Sequence, residues 1–219
     1  MLVIFDCDGV LVDSELPSNR VLAETFTAIG HPMTIEESIH HFMGRSAKHL
    51  HERGAELLGR PLPDGFYEAY TARRDQAFET ELEAVAGVAD AVDALHAAGV
   101  RTCVASSGPH PKMRLTLGMT GLWERFEGRI YSATEVQHGK PAPDLFLHAA
   151  GREGFAPEDC VVVEDAPAGV AAGKAAGMRV FAYAGMTDPE LLRDADVVFS
   201  AMHELPTLAI GDAGAQRSR

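Results

Sequence analysis

Met1-Leu-Val-Ile-Phe-Asp-Cys-Asp-Gly-Val-Leu-Val-Asp-Ser14 opens with an apolar run, Leu2 to Phe5, that stops at two aspartates. The run carries β-branched residues and is bounded by Asp and Gly, which predicts a buried strand of a parallel sheet. Asp6 and Asp8 then stand at its carboxyl end, one residue apart, with Gly9 directly after. Ligands of open α/β sheets bind at that end of the strands. Two carboxylates delivered there by a buried strand are costly unless something compensates them. Capping a turn is the plainer job for a D-x-D-G string, so a chemical role requires matching parts elsewhere in the chain.

Outward from this stretch, Glu15 to Ile29 has apolar residues at mixed three- and four-residue spacing and predicts a helix, ended by Gly30 and Pro32. Thr34-Ile-Glu-Glu37 has the pattern of a capping box. Ser46 to Leu58 and Asp64 to Leu82 continue the helical run, with no convincing strand between Ser14 and Leu82. An all-helical insert over 15–83 therefore follows the first strand, with Val10 to Glu15 and Glu83 to Gly87 as the two hinge candidates. From Val88 the pattern alternates. Helices are expected over Val88–Ala98, Lys112–Leu117, Pro143–Glu153 and Ala168–Ala176. Strands are expected at Val100–Ala105, Arg129–Tyr131, Cys160–Val163, Arg179–Tyr183 and Val197–Phe199. That alternation predicts an α/β fold, a doubly wound parallel sheet built from 1–14 and 84–219. Gly211 to Arg219 lacks an apolar anchor and reads as a loose tail.

Three later segments place chemistry-bearing residues at predicted strand ends or in the connecting loops. Val104-Ala105-Ser106-Ser107-Gly108 offers hydroxyls and backbone N–H groups to an anion, although a helix cap has the same look. Gly139-Lys140-Pro141-Ala142-Pro143-Asp144 holds one of only four lysines, in a loop stiffened by proline. Val163-Glu164-Asp165-Ala166-Pro167 again delivers two acids where a buried strand opens.

The string Asp6 to Glu15, DCDGVLVDSE, resembles motif I of the haloacid dehalogenase-like (HAD) superfamily. Ser106 matches motif II, the K-P-x-P-D string at Lys140 matches motif III, and Glu164-Asp165 matches motif IV, in the right order. The resemblance spans the whole core portion of the chain. It implies a Rossmann-like core with the helical insert as a cap that closes over the site. It implies Asp6 as nucleophile, Asp8 as general acid and base, Ser106 and Lys140 on the phosphoryl group, and Mg²⁺ held by Asp6, Asp8, Glu164 and Asp165. Ser107 and Gly108 are further candidates for binding the substrate. Arg45 and Lys48 are candidates in the cap loop. Placement of the insert resembles the subgroup with beta-phosphoglucomutase and sugar-phosphate phosphatases, and Ser106 to Met113 resembles phosphatases of the 6-phosphogluconate type.

Charge logic agrees with a metal. A phosphate monoester brings nearly two negative charges to several carboxylates, and each unit pair at ~4 Å repels by roughly 4 kcal/mol at an effective dielectric of ~20. A hard divalent cation such as Mg²⁺ resolves this, whereas no His/Cys cluster at these strand ends offers a zinc alternative. The expected activity is release of phosphate from a small phosphorylated metabolite, a sugar phosphate or phosphorylated sugar acid. A mutase of the beta-phosphoglucomutase type is the alternative, but that group carries a histidine shortly after motif I and Ser14 to Arg20 has none. A 2-haloacid dehalogenase lacks the second aspartate, and a catalytically silent binding module has no use for the full set of acids.

A net charge of -13 argues against nucleic acid as a partner. No apolar run approaches a membrane span, and no basic leader precedes the first strand, so a cytoplasmic monomer or small homo-oligomer is expected. Cys7, Cys103 and Cys160 are expected as small buried hydrophobes in a reducing compartment rather than as nucleophiles. His40, His41, His49 and His51 read as a solvated helix face rather than a metal site. His110 and His138 flank motifs II and III and could touch substrate, while Trp123 and Phe126 are expected in the core.

Overall fold

A computed structural model describes residues 1–44 and 47–216, the side chains of 212–216 excepted. The backbone divides into two compact units, one from Met1–Val12 with Ala84–Arg219 and one from Asp13–Glu83.

The first unit is built on a six-stranded, all-parallel sheet. Its strands are β1 (Leu2–Phe5), β2 (Arg101–Ser106), β3 (Ile130–Ser132), β4 (Cys160–Glu164), β5 (Arg179–Tyr183) and β6 (Val197–Phe199), in the order β3-β2-β1-β4-β5-β6. The order reverses at β1, the crevice where doubly wound sheets take their ligands. All four residues of β1 are fully buried, because the strand has a neighbour on each edge and helices on both faces. Phe5 lies level with Val104 of β2 and Val163 of β4, so Asp6, Ser106 and Glu164 come to the same edge.

The second unit holds α1 (Glu15–Ala28), α2 (Ile35–Phe42), α3 (Ala47–Leu58) and α4 (Phe66–Glu81). Phe26 is its centre, stacked on Phe42 at 5.5 Å and tilted against Phe66 at 5.0 Å. The Thr34–Glu37 capping box starts α2, and Ser38 Oγ donates to Asn19 Oδ1 at 2.9 Å to pin α2 to α1.

The helices of the α/β unit are α5 (Val88–Ala97), α6 (His110–Met119), α7 (Trp123–Phe126), α8 (Asp144–Glu153), α9 (Pro167–Ala175) and α10 (Leu205–Gln216). Leu2 and Ile4 face a cluster with Leu145, Phe146 and Ala149 of α8 and Val170 and Ala172 of α9. On the opposite face Phe5 meets Phe126 edge to face at 5.8 Å.

Three expectations are corrected. The Gly211 to Arg219 stretch is not a loose tail throughout, since α10 runs on to Gln216; Leu205 and Ala209 bury one side and the helix extends from them. Residues 217–219 lie outside the described residues. Trp123 is half-buried rather than in the core, lying under the Arg114 guanidinium at 4.8 Å, whereas Phe126 is fully buried. Helix α6 begins at His110, not Lys112, because Pro111 falls in the first turn, where a missing N–H costs nothing.

Candidate active site

The strand β1 hands the chain directly to Asp6, whose N–H donates to Val163 O at 2.9 Å and continues the parallel ladder by one residue. The backbone then doubles back. Leu11 N and Val12 N both donate to Cys7 O, and Gly9 N donates to Val12 O at 2.8 Å. This turn holds Asp8 above the sheet edge beside Asp6. Gly9 sits at φ 76°, and a Cβ there would stand 2.0 Å from Asp165 Oδ2. Both the left-handed backbone and the approach of a carboxylate thus require glycine.

Carboxylate oxygens of Asp6, Glu164 and Asp165 lie within 4.8 Å of one another, and all three residues are buried. Among the described residues no other set of acids, histidines or cysteines gathers in this way. Lys140 reaches into the cluster and spends all three of its N–H donors. Its Nζ donates to Asp6 Oδ1 at 2.7 Å, to Glu164 Oε1 at 2.6 Å and to Ala105 O at 3.2 Å. Glu164 is held from the other side, its Oε2 accepting from the N–H groups of Asp165 and Ala166 at 3.0 Å each. Gly169, on α9, leaves the room for it: a Cβ there would lie 1.8 Å from Glu164 Oε1.

Burial raises the Asp6 carboxyl most, the negative charges of Glu164 and Asp8 raise it further, and Lys140 opposes them; the outcome is about 7. Burial lowers Lys140, but Asp6 and Glu164 outweigh it and hold the ammonium above its usual range. The Cys7 thiol is pushed well up, by burial first and then by Asp8 and Asp6, which disqualifies it as a nucleophile at neutral pH.

Ser106 ends β2 fully buried, its Oγ accepting from Gly108 N at 3.1 Å, while Ser107 points to solvent. The cap of α6 falls on Pro109, so Ser106 is not spent on helix capping. Gly108 is buried, and a Cβ on it would be 3.5 Å from Ser106 Oγ and 3.9 Å from Asp8 Oδ2, so Ser106, Gly108 and Asp8 share one corner.

Lys112 was missed by sequence reasoning. Its Nζ donates to both Asp8 oxygens at 2.8 Å. Two of the chain's four lysines thus bind the two motif I aspartates. The one local signal was its place in the first turn of a helix that follows Ser106.

Lys48 is exposed on α3, 3.8 Å from Glu52. Arg45 lies outside the described residues. His110 and His138 are paired with acids, His110 with Glu135 at 2.8 Å and His138 with Asp144 at 3.1 Å.

The donor set fits a hard divalent cation. Three carboxylates offer oxygen, and four acids against two lysines leave the pocket with two formal negative charges to balance. No described helix is long and apolar enough to cross a membrane.

Comparison with known proteins agrees with this architecture. The family model described as haloacid dehalogenase-like hydrolase matches residues 1–177. The 6-phosphogluconate phosphatase of Escherichia coli is 32% identical over 214 residues, covering 94% of this chain and 93% of that protein. Hexitol phosphatase A of the same organism is 32% identical over 207 residues, with 92% and 91% covered. The crystal structure of a HAD family hydrolase from Deinococcus radiodurans, with bound phosphate and sodium, superposes with a TM-score of 0.78 at 33% identity, covering 97% of this chain and 96% of that one. With the family model matching most of the chain and relatives above 30% identity along nearly all of it, the chain belongs to the haloacid dehalogenase-like hydrolase family.

Proposed function

We propose that the protein is a magnesium-dependent phosphatase acting on a small phosphorylated metabolite, a sugar phosphate or phosphorylated sugar acid. The observation that carries this reading is the buried triad of Asp6, Glu164 and Asp165 with Lys140 bridging the first two. The names of the two Escherichia coli relatives and the phosphate in the Deinococcus structure support the substrate class.

Asp6 is the nucleophile. Its carboxylate attacks phosphorus in line and forms an aspartyl-phosphate as the ester oxygen departs. Asp8 gives that oxygen a proton, then removes one from the water that hydrolyses the intermediate. Ser106 Oγ and neighbouring backbone N–H groups steady the equatorial oxygens, with Lys140 fixing the attacking carboxylate and adding positive charge. Asp6, the Asp8 carbonyl and Asp165 would hold Mg²⁺. Glu164, already engaged by Lys140 and two N–H groups, would reach it through water. When bound, the cation offsets the charge of acids and phosphate and keeps Asp6 ionised.

A screen of sugar phosphates, phosphorylated sugar acids and hexitol phosphates tests the reading. Phosphate release is expected with Mg²⁺, near zero after chelation, and abolished in Asp6→Asn at unchanged circular dichroism. Retained turnover in Asp6→Asn would remove Asp6 as nucleophile, and metal-independent turnover would remove the cation.

A further inference from the structure

The geometry points to Lys112 as a positioning residue for Asp8, holding the acid–base carboxylate in the orientation from which it protonates the leaving oxygen. The inference rests on the phosphatase reading above and adds to it a residue that no superfamily motif named above contains.

Three observations carry it. The contact is two-pronged: Nζ stands 2.8 Å from Oδ1 and 2.8 Å from Oδ2, which fixes the plane of the carboxylate as well as its position. The pair is mostly shielded from water, the side chains being 17% and 19% exposed, so the attraction is less screened than that of a surface pair. The lysine is itself anchored. It lies in the first turn of α6, its N–H donates to Pro109 O at 3.0 Å, and its own carbonyl accepts from Thr116 Oγ1 at 3.1 Å. Thr116 in turn touches Cys7 Sγ at 3.9 Å, which ties the helix to the residue between the two aspartates. The stem passes close to Gly108, where a Cβ would stand 3.5 Å from Lys112 Cδ.

Asp8 follows β1 in a tight turn, and its carboxylate needs a fixed direction to serve one oxygen among several. Lys140 cannot supply it, because its three donors are spent on Asp6, Glu164 and Ala105. Lys112 does. In the chemical step the bond between phosphorus and the ester oxygen breaks, its electron pair goes to that oxygen, and the proton comes from Asp8. A swinging carboxylate delivers that proton late, and an ester with a poor leaving group suffers most.

The test compares two esters by rapid mixing with excess enzyme. One is p-nitrophenyl phosphate, whose leaving group departs without a proton. The other is the best alkyl phosphate from the screen. In Lys112→Met the rate of alcohol release is expected to fall by at least ~10-fold more than the rate of nitrophenol release, as general acid catalysis of alkyl departure is worth ~10²–10⁴-fold. Asp8→Asn should show the same asymmetry, larger. Lys112→Arg, which can still grip both oxygens, should recover most of the loss. Lys112→Gln, which lacks the charge, is read in the same way as Lys112→Met and replaces it if that variant does not fold. Equal loss on both esters, or no loss on either, in a folded variant overturns the positioning role while Asp8→Asn still reports the acid. Failure of the wild-type enzyme to cleave either ester overturns the phosphatase reading and this inference with it.

Discussion

Glu164 is locked from three sides, by the Lys140 ammonium and by the N–H groups of Asp165 and Ala166. The fourth side is the bare Cα of Gly169. In Gly169→Ala the new methyl would need the space of Glu164 Oε1, so the carboxylate must turn away and give up its contact with Lys140, which then holds Asp6 without that second anchor. A shift of about 1 Å at reacting groups costs on the order of 10²-fold. A fall in kcat of at least that size is expected in steady-state assays, together with weaker Mg²⁺ binding in isothermal titration, and unchanged kinetics would show that Glu164 does not set the site. At this scale the sequence was informative about the acids and about Lys140, and blind to Lys112. Asp6, Glu164 and Asp165 declare themselves by standing at the ends of apolar runs. Ser106 was chosen by its motif match and is the buried one of the two serines, whereas Lys112 needed the packing of a helix whose first turn looked like loop because of its prolines.

At the scale of elements, short apolar strands and glycine-ended helices make the α/β alternation readable, and the boundaries of β5 and β6 came out to the residue. What the pattern did not give was α7 and α10, where too few apolar residues recur to show a period. The join of α5 to β2 carries a pH dependence. His96, in the last turn of α5, lies with Nε2 2.6 Å from the buried Thr102 Oγ1. Its imidazole is held below its ordinary 6.5, by burial first and then by the Arg129 guanidinium, with Arg125 adding and Asp93 opposing. The unfolded chain therefore binds the proton more readily than the folded one. The stability that neutral His96 contributes is complete above about pH 6.5 and is lost as pH falls through the lowered folded value. Urea denaturation of wild type should show a decline over that interval that His96→Gln flattens, and an identical slope in both would exclude His96 as its source.

At the scale of the whole molecule, one unit is continuous in sequence and the other is not. The bulk charge was legible from composition, but its distribution was not: a chain of net charge -13 concentrates half of its lysines on two aspartates. The order of the sheet has a further result for the history of each molecule. Leu2 meets Arg101 on one edge and Cys160 on the other, so β1 has no sheet neighbours until residues far downstream of it exist. The contacts of the helical unit span shorter stretches of chain than those of β1, which favours faster folding, whereas distant pairings are slow to form. Pulsed deuterium labelling during refolding of the full chain should find the amides of α1 to α4 protected before those of β1, and simultaneous protection would contradict this order. Asp6, the proposed nucleophile, follows a strand whose two partners both lie far along the chain, so catalytic competence would arrive late in assembly.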